Sequence, residues 1–350
     1  MRKIIIYLCF LLVATLLFFF LRTLIKAGTF KKIHPHSSVE FVQIPGMPGA
    51  EDITIDPTTG KALVSSYDRR KTLAGDPVKG AIFLLDFQAQ PPSFADLTTG
   101  FDQPDFRPHG ISLFLDRTDS TKWLFAVNHR DEGNFVEIFQ FYDTALVHVE
   151  SVASELFASP NDVAGVGKRQ FYFTNDHGVK GGISSFKDFL LIGTGQLGFY
   201  DGEQAEILDS GLRYANGVNV SPDGQYLFVA LTTDGSINIY QREPFRKVNS
   251  IDCGTGVDNL EWDAEGNLWV GAHPKMLAFL GHAKDAAKRS PSQILKISFA
   301  DPAGPVTVDE VYLSDGNPFS GSSTAAMYGR YVLMGSVFED GVLVGVMNDE

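Results

Sequence analysis

The sequence predicts an all-β protein: a six-bladed β-propeller preceded by an N-terminal transmembrane or signal-anchor helix. Three observations carry that prediction. Ile4 to Leu21 is an unbroken run of eighteen mostly apolar residues. Beyond Phe30 the helical period gives way to short apolar or alternating stretches separated by Gly, Pro, Asp and Asn turns. Within that region one pattern recurs six times: a polar turn runs into a short apolar strand that ends in small or polar residues.

The apolar run is just long enough to cross a bilayer, whose hydrocarbon core of about 30 Å takes roughly 20 helical residues. Basic residues flank both ends (Arg2 and Lys3 before it; Arg22, Lys26, Lys31 and Lys32 after), so they do not decide an orientation. Phe18 to Arg22 contains no small-x-small cleavage site, which favours an uncleaved anchor over a removed signal. The expected organisation is residues 1–30 as anchor and flank, and 31–350 as the propeller. The chain is then membrane-anchored, or secreted if the segment is cleaved.

The six repeat copies are DPTTGKALVSS (56–66), DRTDSTKWLFAVNH (116–129), GVGKRQFYFTNDH (165–177), SPDGQYLFVAL (221–231), DAEGNLWVGAH (263–273) and MYGRYVLMGSV (327–337). Their strand midpoints, near residues 64, 126, 173, 228, 270 and 334, are 62, 47, 55, 42 and 64 residues apart. A period of about fifty residues with roughly four strands is a propeller blade. Two helices are expected inside this region, over 184–192 and 281–288.

Bulk properties exclude several functions. A net charge of −13 and a pI near 5.0 argue against nucleic acid, which calls for a basic stripe. Of the two cysteines, Cys9 lies in the apolar run and Cys253 in a predicted loop, so no disulfide is expected. No G-x-S-x-G elbow, phosphate-binding or dinucleotide glycine motif, C-x-x-C or H-E-x-x-H is present. The sequon at Asn219 lies beside a predicted strand and is expected to be buried.

Polar clusters carry the chemistry. Glu51-Asp52, Asn161-Asp162, Asn216 and Asp258-Asn259 each lie twelve residues ahead of a strand midpoint (Val64, Phe173, Phe228 and Val270). His109 leads its midpoint by seventeen residues and Thr324 by ten, so Asp52, His109, Asp162, Asn216, Asp258 and Thr324 give one polar position per blade. For any one pair a turn is the simpler explanation. Four in phase point to a shared height on the propeller axis, where carboxylate and amide oxygens suit a hard cation such as calcium. Several acids at one point also repel unless a cation lies among them. Of the histidines, His109 and His129 precede and end the second repeat and are the candidate bases. His177 and His273 are expected to line the channel, and His34, His36, His148 and His282 to be structural.

The segments GAEDITI, RPHGIS, AVNH, PNDVAGVG, FYFTNDH, ANGVNVSPDGQYLFVA, VDNLEWD, LWVGAHP and GSSTAA–GSVF resemble, in order, those of the paraoxonase/arylesterase family of calcium-dependent six-bladed propellers. The match extends from Glu51 to Phe338. The resemblance implies a hydrolase of small esters and lactones with two calcium ions in the channel. Glu51, Asn161, Asn216, Asp258 and Asn259 would hold the catalytic ion. Asp52, Asp162 and the carbonyl of Ile111 would hold a deeper structural ion, with His177 nearby. His109 and His129 match the family's histidine pair, with Asp258 as a rival base. Animal members close the ring with a disulfide. The segment FVQIPGMPG and the ending VLVGVMNDE contain no cysteine, so closure here must rest on strand pairing. Two other functions fit the same pattern: a sugar lactonase of the related gluconolactonase type, and a non-catalytic tethered propeller with structural calcium.

Overall fold

The computed structural model describes residues 2–178, 187 and 190–348, and in it the strands after the first helix form six sheets. Helix α1 (Arg2–Lys26) is apolar and exposed from Lys3 to Leu21; near its C-terminal end Thr23 is buried. At 1.5 Å per residue it is roughly 38 Å long, enough to cross the apolar part of a bilayer by length and composition. Most of the helix expected over 184–192 lies outside the described residues.

Each sheet is one blade. The strands nearest the axis are β3 (Ala50–Ile55), β7 (Pro108–Asp116), β11 (Pro160–Gly165), β15 (Ala215–Val220), β19 (Gly256–Trp262) and β23 (Ser322–Tyr328). Each contacts its counterpart in the neighbouring blades, which closes the ring. The repeated apolar stretches are the second strands: β4 (Ala62–Ser66), β8 (Thr121–Arg130), β12 (Phe171–Asn175), β16 (Tyr226–Leu231), β20 (Leu268–His273) and β24 (Tyr331–Ser336). They read clearly in sequence because both of their faces are covered by neighbouring blades. Phe125, Phe171, Phe173, Phe228 and Val270 are all fully buried in the layers between blades. Each such side chain contributes about 1.5–3 kcal/mol of burial free energy.

Closure rests on strand pairing. β2 (Val39–Pro48) pairs antiparallel with β25 (Asp340–Met347), so the last blade takes its outermost strand from the start of the propeller chain. Cys9 and Cys253 are both free. Asn219 donates its amide to Leu260 O (2.8 Å) and is partly buried in β15.

Two short helices flank the channel mouth, the end at which the inner strands begin. α2 (Arg69–Leu73) follows β4 and is capped by Asp68, whose carboxylate accepts from Lys71 N (3.1 Å). α3 (Met276–Lys284) follows β20. The sequence placed α3 five residues too late, over 281–288, by following its alanines and lysines. The helix instead starts directly after Pro274-Lys275, where Met276 to Leu280 supply an apolar first turn, and it stops at the extended residue Asp285. Arg70 ties the two helices together by donating to His282 O (2.8 Å). The C-terminal end of α1 reaches the same face, with Ala27 O accepting from Met276 N (3.0 Å).

Candidate active site

Every inner strand carries a β-bulge at its polar cluster. In the four middle blades three residues of the inner strand oppose two of its partner (Pro108 to Ile111, Pro160 to Val163, Ala215 to Val218 and Val257 to Leu260). In the first and last blades two oppose one (Ala50 to Asp52 and Ser322 to Thr324). A bulge breaks the strict alternation of faces, so two consecutive side chains can turn toward the axis. Register then divides the polar residues into two levels. The level nearer the mouth holds Glu51, His109, Asn161, Asn216, Asp258 and Ser323. One residue deeper come Asp52, Gly110, Asp162, Gly217, Asn259 and Thr324. The single series expected from spacing therefore mixed two heights, because hairpin lengths differ between blades.

Gly110 shows how tightly the inner strands meet. A side chain there would collide with Asp162 Oδ1 and with the backbone of Asn161. The deeper acids bridge blades through main-chain donors. Asp52 accepts from Ile53 N (2.9 Å) and Ile111 N (2.7 Å), and Asp162 from Val163 N (2.7 Å) and Val218 N (2.7 Å).

The residues of the two levels together fit a hard cation. Glu51, Asp52, Asn161, Asp162, Asn216, Asp258 and Asn259 are all between 1% and 4% exposed. Among them Glu51 Oε2, Asn161 Oδ1, Asn216 Oδ1 and Asn259 Oδ1 are buried oxygens with no hydrogen-bond partner among the described residues. Two of those amides are held by their nitrogen ends. Asn216 Nδ2 donates to Thr232 Oγ1 (3.0 Å), and Asn259 Nδ2 to Glu51 O (3.1 Å) and Oε1 (3.0 Å). Orphaned buried oxygens are costly, and four in one oxygen-only set is the donor chemistry calcium takes.

The protein without a cation responds by holding protons. Burial pushes the Glu51 carboxyl up to about 8; Arg69 opposes the rise, and the Asp258 and Asp52 carboxylates add to it. Burial also pushes Asp52 up to about 7, against the backbone donors from Ile111 and Ile53. Asp162 and Glu261 are raised well above the usual carboxylate range, first by burial and then by the Asp52 charge.

His109 and His129 lie side by side. His109 Nδ1 lies 3.0 Å from His129 Nε2, and His109 Nε2 lies 3.6 Å from Glu51 Oε1. Burial first, then the nearby Arg69 guanidinium and the His129 ring, hold His109 well below the ordinary imidazole value, so the ring is neutral near pH 7. On the opposite blade, His273 Nε2 lies 2.7 Å from Asp258 Oδ2. His129 and His273 occupy the same register position, three residues past Ala126 and Val270, which face Ile111 and Leu260. The two candidate bases thus face each other across the axis, each backed by a histidine. His177 sits at the mouth, where its Nδ1 is 2.8 Å from Asp176 Oδ1 and its ring packs against Tyr214 (5.3 Å). That position lies beyond the Asn161 end of its blade, not at the level of Asp52 and Asp162.

Sequence spacing missed Arg69. Its side chain, 16% exposed, reaches to 3.9 Å from Glu51 Oε2, and its Nη1 is buried with no hydrogen-bond partner among the described residues. His273 lines the channel, and its direct bond to Asp258 comes from cross-strand register. Repeat position carried that signal, since His273 ends its copy as His129 ends its own.

Fold and site together define a six-bladed propeller with buried carboxylate and amide oxygens converging on its axis. Solved structures agree on the fold. A luciferin-regenerating enzyme superposes with a TM-score of 0.55 at 12% identity, covering 88% of this chain and 95% of that one. A putative gluconolactonase superposes with 0.53 at 16% identity, covering 91% and 95%. The arylesterase family pattern matches residues 43–344. Serum paraoxonase/arylesterase 2 of Gallus gallus is 34% identical over 302 residues, 83% of this chain and 84% of that protein. Serum paraoxonase/lactonase 3 of Homo sapiens is 34% identical over 302 residues, with the same coverage. The chain belongs to the paraoxonase/arylesterase family. That membership implies dependence on calcium.

Proposed function

We propose that this chain is a calcium-dependent hydrolase of lactones and aryl esters, tethered to a membrane by α1 as an uncleaved anchor. The observation that carries the proposal is the set of four unpartnered buried oxygens (on Glu51, Asn161, Asn216 and Asn259) beside the His109–His129 pair. With Asp258 they would hold the catalytic calcium, while Asp52, Asp162 and the Ile111 carbonyl would hold a second, structural ion. Bound at the first position, calcium supplies Lewis-acid polarisation of the substrate carbonyl.

The chain's own groups do the proton work. Water attacks the carbonyl carbon as its proton passes to His109 Nε2. His129 keeps its hydrogen bond to His109 Nδ1 and stabilises the imidazolium. Collapse then breaks the bond to the leaving oxygen, which takes that proton, and a lactone opens to its hydroxy acid. Asp258 is the weaker candidate base, because its Oδ2 already accepts a hydrogen bond from His273. The test is chelation: EGTA-treated protein is expected to lose hydrolysis of phenyl acetate and of a simple lactone, with recovery on adding calcium. Undiminished hydrolysis in EGTA would sink the proposal.

A further inference from the structure

His129 is paired across β8 and β9 (Gly133–Phe141) with Asn134, and His129 Nδ1 lies 2.9 Å from Asn134 Oδ1. An amide can turn either end toward a ring, but here the other end is already committed. Asn134 Nδ2 donates to two main-chain carbonyls, Phe157 O (2.9 Å) and Ala158 O (3.2 Å), just ahead of the next blade. Carbonyl oxygens only accept, so the nitrogen end must face them and Oδ1 must face His129. An amide oxygen carries no hydrogen, so the hydrogen in that contact belongs to His129 Nδ1. A neutral imidazole has one N–H, which leaves His129 Nε2 bare. The 3.0 Å contact to His109 Nδ1 then requires the hydrogen to be on His109. His109 Nε2 is left bare in turn, facing Glu51 and the channel.

We propose that Asn134 is a positioning residue that locks both rings in the Nδ1–H form and thereby leaves His109 Nε2 as the proton acceptor of the channel. Without the lock the pair can reverse. His129 Nε2–H would then donate to His109 Nδ1, and His109 Nε2 would carry a hydrogen and could accept none. The two carbonyls that orient Asn134 belong to the approach to the third blade, so the tautomer at the axis depends on contact between blades. The catalytic meaning of the lock rests on the hydrolase proposal above; the lock itself does not.

The full-length chain in detergent micelles, labelled with 15N-histidine and loaded with calcium, gives the direct readout. Long-range proton–nitrogen correlation at a pH above the imidazole range, about 8.5, distinguishes the two N–H forms, and His109→Gln and His129→Gln assign the signals. Both rings are expected to carry hydrogen on Nδ1, and an Nε2–H signature for either ring in the unaltered protein would overturn the proposal. Asn134→Leu is expected to release the His129 tautomer and to lower kcat for phenyl acetate by roughly 10–100-fold, as loss of an outer orienting partner does. Asn134→Asp keeps an acceptor-only oxygen toward Nδ1 and is expected to preserve the tautomer; an Nε2–H signature on His129 in this variant would overturn the lock, even if the leucine variant fails to fold. Unchanged tautomers in Asn134→Leu would overturn the lock. Changed tautomers with unchanged hydrolysis would leave the lock standing and remove the histidine pair from the reaction.

Discussion

At Asn216 the amide nitrogen is tied to Thr232, and the oxygen is buried with no partner. That is how a ligand atom looks when the protein has prepared it and no described residue consumes it. Asn216→Ala removes the oxygen without adding charge. Calcium affinity, measured by calorimetric titration, is expected to fall by at least the roughly 10–100-fold that losing an outer partner of a metal site costs. Unchanged affinity would remove Asn216 from the ligand set. Arg69 acts in the opposite sense. Its guanidinium lies beside Glu51, so it competes with any cation held there. Arg69→Met is expected to tighten calcium binding by on the order of tenfold, taking about 1.4 kcal/mol of like-charge repulsion. Weaker binding in that variant would show that Arg69 supports the site instead of opposing a cation.

At the scale of elements the bulged inner strand is the device that builds the site. It turns consecutive residues such as Glu51 and Asp52 toward one axis, and it demands glycine where the next blade comes closest. Gly110→Ala is expected to cost about 1–3 kcal/mol through overpacking against Asp162. A fall in thermal stability read by circular dichroism, with calcium affinity falling alongside it, checks this; a neutral result would mean the strands have room to part. The same device explains what the sequence disclosed. The six second strands are buried on both faces and announce themselves as apolar runs, so blade number and spacing were legible. The inner strands do not announce themselves as apolar runs, because a polar pair at a bulge looks like a turn. The twelve-residue phase survived in four blades, yet it merged Asp52 and Asp162 with the level of Asn216 and Asp258. Asn134, the Asp258–His273 bond and Arg69 depend on cross-strand register or on α2 folding over the mouth, and no spacing rule reports those contacts.

At the scale of the molecule, closure by β2 on β25 joins the propeller's two ends, and α1 leaves from the face that carries the channel mouth. The buried acids make the whole fold sensitive to pH. Glu51, Asp52, Asp162 and Glu261 hold protons more tightly folded than unfolded. The stability they lend to the cation-free protein is therefore full below their unfolded values, about pH 4. It is lost as pH rises through about 7 for Asp52 and about 8 for Glu51. Calcium binds the ionised forms, so the stabilisation it gives grows across the same window. Thermal unfolding with and without calcium is expected to show a larger shift at about pH 8.5 than at about pH 5.5, and the reverse order would contradict this assignment. The most direct test of the central claim is a crystal structure of the calcium-loaded protein with the ion located by anomalous scattering. The expected result is calcium on the axis, with oxygens of Glu51, Asn161, Asn216, Asp258 and Asn259 at about 2.3–2.6 Å. An axis without an ion under saturating calcium, or an ion bound by other residues, would contradict it.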